Sequence, residues 1–124
     1  MGKRKKVLVV DDESPIAEMI AEFCQSFGFD TMILNSGEDV LKVVKSLRPD
    51  LITLDLIMSE VSGIEVLEAL KADEETRNVP VIVISSLGNS GSAHEVLKLS
   101  QGFLSKPLKM EALEEKIETV LSAA

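Results

Sequence analysis

The chain has one cysteine, Cys24, one histidine, His94, and no tryptophan or tyrosine among its 124 residues. A single thiol excludes an internal disulfide. One thiol and one imidazole exclude a zinc centre of the usual ligand types. Cys24 falls on the apolar side of a helical repeat, between Phe23 and Phe27, and reads as a buried, inert thiol. Phe23, Phe27 and Phe29 read as core rather than as a base-stacking platform. His94 reads as solvent-facing. No apolar run reaches eighteen residues, so no membrane insertion is expected. The cytoplasm is the expected compartment.

Basic residues are also few: 13 against 21 acidic ones, a net charge of −8. Four of the cations, Lys3, Arg4, Lys5 and Lys6, form a tail that leads into a strand and not into an unbroken apolar region, so it is not a secretory signal. Beyond that tail, 9 basic residues face 21 acidic ones. Such a body is a poor nucleic-acid binder, and no direct nucleic-acid contact is expected. It suits basic protein partners and cations.

What is present is a regular alternation. The chain is 45% apolar, enough for a core, and its length fits one domain over 1–124. Short β-branched runs at Val7–Val10, Thr31–Leu34, Leu51–Leu54, Val81–Ile84 and Phe103–Ser105 read as strands, most of them buried on both faces of a sheet. Helical repeats separate them. Ser14 and Pro15 read as N-cap and first residue of a helix carrying Ile16, Met19, Ile20, Phe23 and Phe27, which Gly28 ends. Ser36 with Asp39 resembles a capping box for a second helix. A third follows Gly63, a fourth is capped by Ser92 with Glu95, and a fifth runs from about Lys109 with Leu113, Ile117, Val120 and Leu121 inward. Five such units imply an α/β fold, a doubly wound five-stranded parallel sheet flanked by five helices.

In such a sheet the carboxyl ends of the strands share one edge, and ligands bind there. This chain delivers Asp11 and Asp12 after the first strand, Asp55 after the third, Ser85 and Ser86 after the fourth, and Lys106 after the fifth. Asp11 and Asp12 alone are weak pointers, since acidic residues at a strand-to-helix turn commonly cap the helix or face water. Asp55 beside them implies like-charge repulsion, relieved by protonation or by a cation. Mg²⁺ suits three hard oxygen donors, and Mn²⁺ can substitute. Lys106 reads either as a salt-bridge partner of the aspartates or as a contact for a phosphoryl oxygen. Ser85 reads as a turn former or as a hydroxyl donor to the same group.

The motifs Val-Asp11-Asp12-Glu, Leu-Asp55-Leu-Ile-Met58 with Gly63, Ile84-Ser85-Ser86 and Phe103-Leu-Ser-Lys106-Pro107 occur in one order across nearly the whole chain. Together they resemble the response-regulator receiver family, single-domain chemotaxis-type members included. The resemblance implies a flavodoxin-like strand order 2-1-3-4-5. It implies that Asp55 accepts a phosphoryl group from a phosphohistidine on a sensor histidine kinase or phosphotransfer protein. Asp12, Asp55 and the carbonyl of Ile57 would then hold Mg²⁺, with Asp11 acting through a metal-bound water. Lys106 would bind the phosphoryl group, with Ser86 beside it. Ser85 would swing toward it and Phe103 would follow. The Lys106–Pro107 bond would be cis. The surface of the fourth helix, fifth strand and fifth helix would carry the signal to a protein target or a second copy. Ser59, Ser62, Leu99-Ser100 and Lys109 depart from the family's usual residues.

Three rivals remain. The alternative is a receiver-shaped interaction module that works without phosphorylation; loss of Asp12, Asp55 or Lys106 would favour it, and all are present. An aspartyl phosphatase needs a second acid two residues after the nucleophile, where this chain has Ile57. A flavodoxin-type cofactor binder needs a phosphate-binding loop where Asp11 and Asp12 would repel one. The chain therefore reads as a phosphoacceptor switch, not an enzyme, with at most self-phosphorylation from small donors and self-dephosphorylation.

Overall fold

The central strands are apolar because they are buried on both faces. A computed structural model of the chain describes residues 4–58, 61–86 and 98–123. It contains β1 (Lys6–Val10), β2 (Asp30–Leu34), β3 (Leu51–Leu54), β4 (Val81–Ser85) and β5 (Gly102–Ser105). All pairings are parallel and the order is β2-β1-β3-β4-β5. β3 and β4 are buried along their whole length, and β1 is buried except at its first residue. The edge strands β2 and β5 are only partly covered.

Residues alternate between two helix layers, as the pleat requires. Leu8, Val10, Ile52, Leu54, Val81 and Val83 pack on α2 (Val40–Leu47) and α3 (Gly63–Ala72). Val7, Val9, Leu51, Ile82 and Ile84 pack on α1 (Ser14–Ser26) and on the C-terminal helix (Met110–Ala123). Leu113, Ile117 and Val120 of the last helix are buried, and Leu121 is partly so, as expected. Thr53 is buried in β3, and its hydroxyl has no hydrogen-bond partner. Four helices lie among the described residues. The fourth expected helix, with Ser92, His94 and Glu95, falls outside them, as do the 88–92 loop and Ser59.

Three local expectations are corrected. α1 starts at Ser14 with Glu13 as its N-cap, one residue earlier than Ser14 and Pro15 suggest. The Glu13 carbonyl already accepts from the Ile16 and Ala17 amides, which sets the first turn there. Met19 and Phe27 are 42% and 49% exposed. The buried stripe of α1 is instead Ala17, Ile20, Ala21 and Cys24, and Phe27 is the C-cap, its ring edge-on to Phe23 at 4.9 Å. Ser36 does not cap α2. Its hydroxyl accepts from the Glu38 amide at 3.2 Å, and the helix begins at Val40 with Asp39 before it. Cys24 is buried, and burial pushes its thiol up to about 11. Gly28 ends α1 as expected, at φ 90°, a conformation that costs glycine little.

Candidate functional site

The register places the carboxylates. Val10 pairs with Leu54, so Asp11 and Asp55 emerge side by side one residue past their strands. The Asp55 amide donates to the Val10 carbonyl at 3.0 Å, and the Asp11 amide to Leu34 at 3.1 Å. Each side chain is held by an amide two residues on: Glu13 N donates to Asp11 Oδ1 at 2.9 Å, and Ile57 N to Asp55 Oδ1 at 3.0 Å. These turns leave both Oδ2 atoms facing Lys106, whose Nζ lies 3.1 Å from Asp11 and 2.9 Å from Asp55. Lys106 follows β5, its amide bound to the Ser85 carbonyl at 3.1 Å, and its bond to Pro107 is cis. Asp11 and Asp55 are 2% and 4% exposed, so this is a nearly dry cluster of charges.

Glu13 joins it. Its Oε1 is 2.8 Å from Lys106 Nζ, across 93 residues of sequence. Sequence reasoning missed this contact; the only signal was an acid directly after Asp11-Asp12 at a helix start. Burial lowers the affinity of Lys106 for its proton, but Glu13, Asp55 and Asp11 outweigh it and the net shift is upward. Burial raises Asp11 despite the Glu13 amide and the ammonium. The two shifts pull their pair in opposite senses, because Lys106 is shared by three carboxylates while Asp11 is sealed from water. The ammonium is the firmer charge.

Asp12 is half-buried, and one oxygen from each of Asp11, Asp12 and Asp55 lies within 4.8 Å of the others. Three hard oxygens, one partly open to solvent, fit a divalent cation that keeps several waters. Ile57, the expected carbonyl ligand, is 50% exposed beside them. Ser85 is fully buried at the end of β4, and Ser86 next to it is exposed. Phe103 pairs with Val83 and packs toward the α2–α3 layer, not into the carboxylate cluster. Gly63 explains how α3 starts so close to the site. Its amide donates to the Leu56 carbonyl at 2.9 Å, and a Cβ there would overlap the Asp55 carbonyl oxygen and the Leu56 Cα. Ser62 caps α3, its hydroxyl accepting from Ile64 N at 3.2 Å.

Residues 7–118 match the response regulator receiver domain. The chain belongs to this family. It is similar to the polar-differentiation response regulator DivK of Brucella ovis, 31% identical over 121 residues, which are 97% of this chain and 98% of DivK. It is also similar to the DNA-binding response regulator MtrA of Mycolicibacterium paratuberculosis, 34% identical over 121 residues. That match covers 95% of this chain and 52% of MtrA, so the chain spans about half the length of that relative. Among solved structures, the receiver domain of Francisella response regulator 1452 superposes with a TM-score of 0.86 at 30% identity, covering 97% of this chain and 98% of that one. Receiver domains belong to two-component systems and are as a class phosphoacceptor switches rather than true enzymes. They bind Mg²⁺ at an acidic pocket, and this chain has a cluster of Asp11, Asp12 and Asp55. No helix among its described residues is long and apolar enough to cross a membrane.

Proposed function

We propose that residues 1–124 act as one phosphorylation-controlled switch in the cytoplasm, with Asp55 as the acceptor. The observation that supports this most is the Lys106 ammonium 2.9 Å from Asp55 Oδ2, beside two further aspartates. An Asp55 oxygen attacks the phosphorus of a phosphohistidine on a sensor histidine kinase or phosphotransfer protein. The P–N bond breaks, its electron pair returns to the imidazole, and the ring leaves neutral because its other nitrogen carries a proton. Three phosphoryl oxygens sharing up to two negative charges then sit in a cluster of acids, and the Lys106 ammonium offsets one of those charges. Asp11, Asp12, Asp55 and the Ile57 carbonyl would hold Mg²⁺ or Mn²⁺, which supplies the remaining positive charge when bound.

Ser85 is the hydroxyl donor at the end of β4, with Ser86 beside it, and Phe103 on the neighbouring strand repacks as Ser85 moves. This shifts the population between two packings rather than building a new fold. The changed surface is β5, the C-terminal helix and the residues before β5, and its partner is a protein or a second copy. Exposed Glu111, Glu115 and Glu118 favour a basic partner surface. The −8 charge argues against direct contact of these residues with nucleic acid. Acetyl phosphate with Mg²⁺ should add one acid-stable, hydroxylamine-labile phosphoryl group, and none without a divalent cation. Equal labelling of Asp55→Asn and wild type contradicts the assignment.

A further inference from the structure

An ammonium has three N–H donors, and Lys106 already faces three carboxylates: Asp11 at 3.1 Å, Glu13 at 2.8 Å and Asp55 at 2.9 Å. A phosphoryl oxygen can gain a donor only if one of them gives it up. Asp11 and Asp55 are almost fully buried and each accepts from one amide, of Glu13 and of Ile57, so turning either away from Lys106 breaks that bond and leaves a buried carboxylate short of donors. The Glu13 side chain is 56% exposed. It makes no capping bond to α1, and its longer chain reaches water by a rotamer change. Of the three it loses Lys106 at the least cost. We infer that Glu13 is a placeholder for the phosphoryl group: it occupies one Lys106 donor in the resting protein and is displaced when Asp55 is phosphorylated.

This rests on the receiver reading above and adds a role for Glu13. A displaced Glu13 carries its charge outward at the first turn of α1, next to a phosphorylated Asp55 whose greater negative charge repels it. Phosphorylation then alters the start of α1 as well as the β5 side of the molecule. In the resting protein the Glu13 contact slows phosphorylation, because it is broken before Lys106 engages the phosphoryl oxygen.

Three substitutions separate contact from charge. Glu13→Gln removes the charge. Glu13→Asp keeps it but is one methylene too short for Lys106. Glu18→Gln removes another exposed acid, on α1, as a control. Phosphorylation by acetyl phosphate with Mg²⁺ should be about fivefold faster in both Glu13 variants, the scale of a partly exposed ion pair, and unchanged within about twofold in Glu18→Gln. Fast Glu13→Gln with wild-type behaviour in Glu13→Asp would mean long-range repulsion of the donor and would overturn the placeholder. So would equal rates in Glu13→Gln and Glu18→Gln. A second readout needs no substitution. In wild type carrying ¹³C-glutamate, the Glu13 carboxyl signal should move to the solvent-exposed position on addition of beryllofluoride and Mg²⁺. A signal that stays in place while the Ile57 amide responds would also overturn it. Failure of wild type to take up either group is a different failure, that of the receiver reading itself.

Discussion

Replacing Lys106 with Met keeps the stem and removes the ammonium from the carboxylate cluster. Asp11 and Asp55, 2% and 4% exposed, then face each other and Asp12 without the Lys106 ammonium. Removing one partner of a fully buried ion pair costs about 3–5 kcal/mol. Here Asp12 is half open and Glu13 exposed, so water relieves part of the repulsion, and about 2–3 kcal/mol at pH 7 is expected. For a domain of this size that is roughly 10 °C in Tm. The cost should depend on pH in a defined direction. Burial already raises Asp11 above its ordinary value of 3.8. A carboxyl raised in the folded state contributes its stability below the unfolded value and loses it as pH rises through the folded one. Without Lys106 that shift is larger, so the deficit relative to wild type should shrink as pH falls from 7 toward 4.5. Urea unfolding at several pH values, in EDTA, measures this. Mg²⁺ at pH 7 should recover part of the loss. A deficit that is constant or grows toward pH 4.5 would refute the account of a cluster held together by Lys106.

Thr53→Val should stabilise the protein by about 1 kcal/mol in urea unfolding, since the buried Thr53 hydroxyl has no partner; a loss of stability would mean the hydroxyl is satisfied in solution. Gly63→Ala should cost about 2 kcal/mol and slow labelling of Asp55, because its Cβ overlaps the Asp55 carbonyl; wild-type stability and labelling would show that the loop yields freely. Asp12→Ala should halve, or more, the melting shift produced by Mg²⁺, while its metal-free form melts no lower than wild type because one crowded charge is gone; equal Mg²⁺ shifts would contradict the triad as the metal site.

The sheet and the acidic edge were legible because both depend on local pattern. Runs such as Val81–Ile84 declare burial on two faces, and the residue after each run must lie at the carboxyl edge. Asp11, Asp55 and Lys106 were found in this way, and their contacts follow from the register. The order β2-β1-β3-β4-β5 came from the resemblance, since short runs alone do not rank their neighbours. Exposure on α1 was misread because a helical repeat does not say how wide the buried stripe is. Ala17 and Ala21 let the helix sit close to the sheet, and Met19 stays outside. The start of α1 was misplaced because Ser14-Pro15 is a good cap locally, while Glu13 is tied down by Asp11 and Lys106. A contact spanning 93 residues leaves no local trace.

The central claim is that one side chain, Asp55, takes the phosphoryl group. Borohydride reduction of the acetyl-phosphate-treated protein, followed by peptide mass spectrometry, reads that residue directly, because an aspartyl phosphate is reduced to homoserine. Homoserine at position 55, dependent on Mg²⁺, is the predicted result. Homoserine at Asp11 or Asp12, or none in a protein that binds Mg²⁺ and is folded, would contradict it.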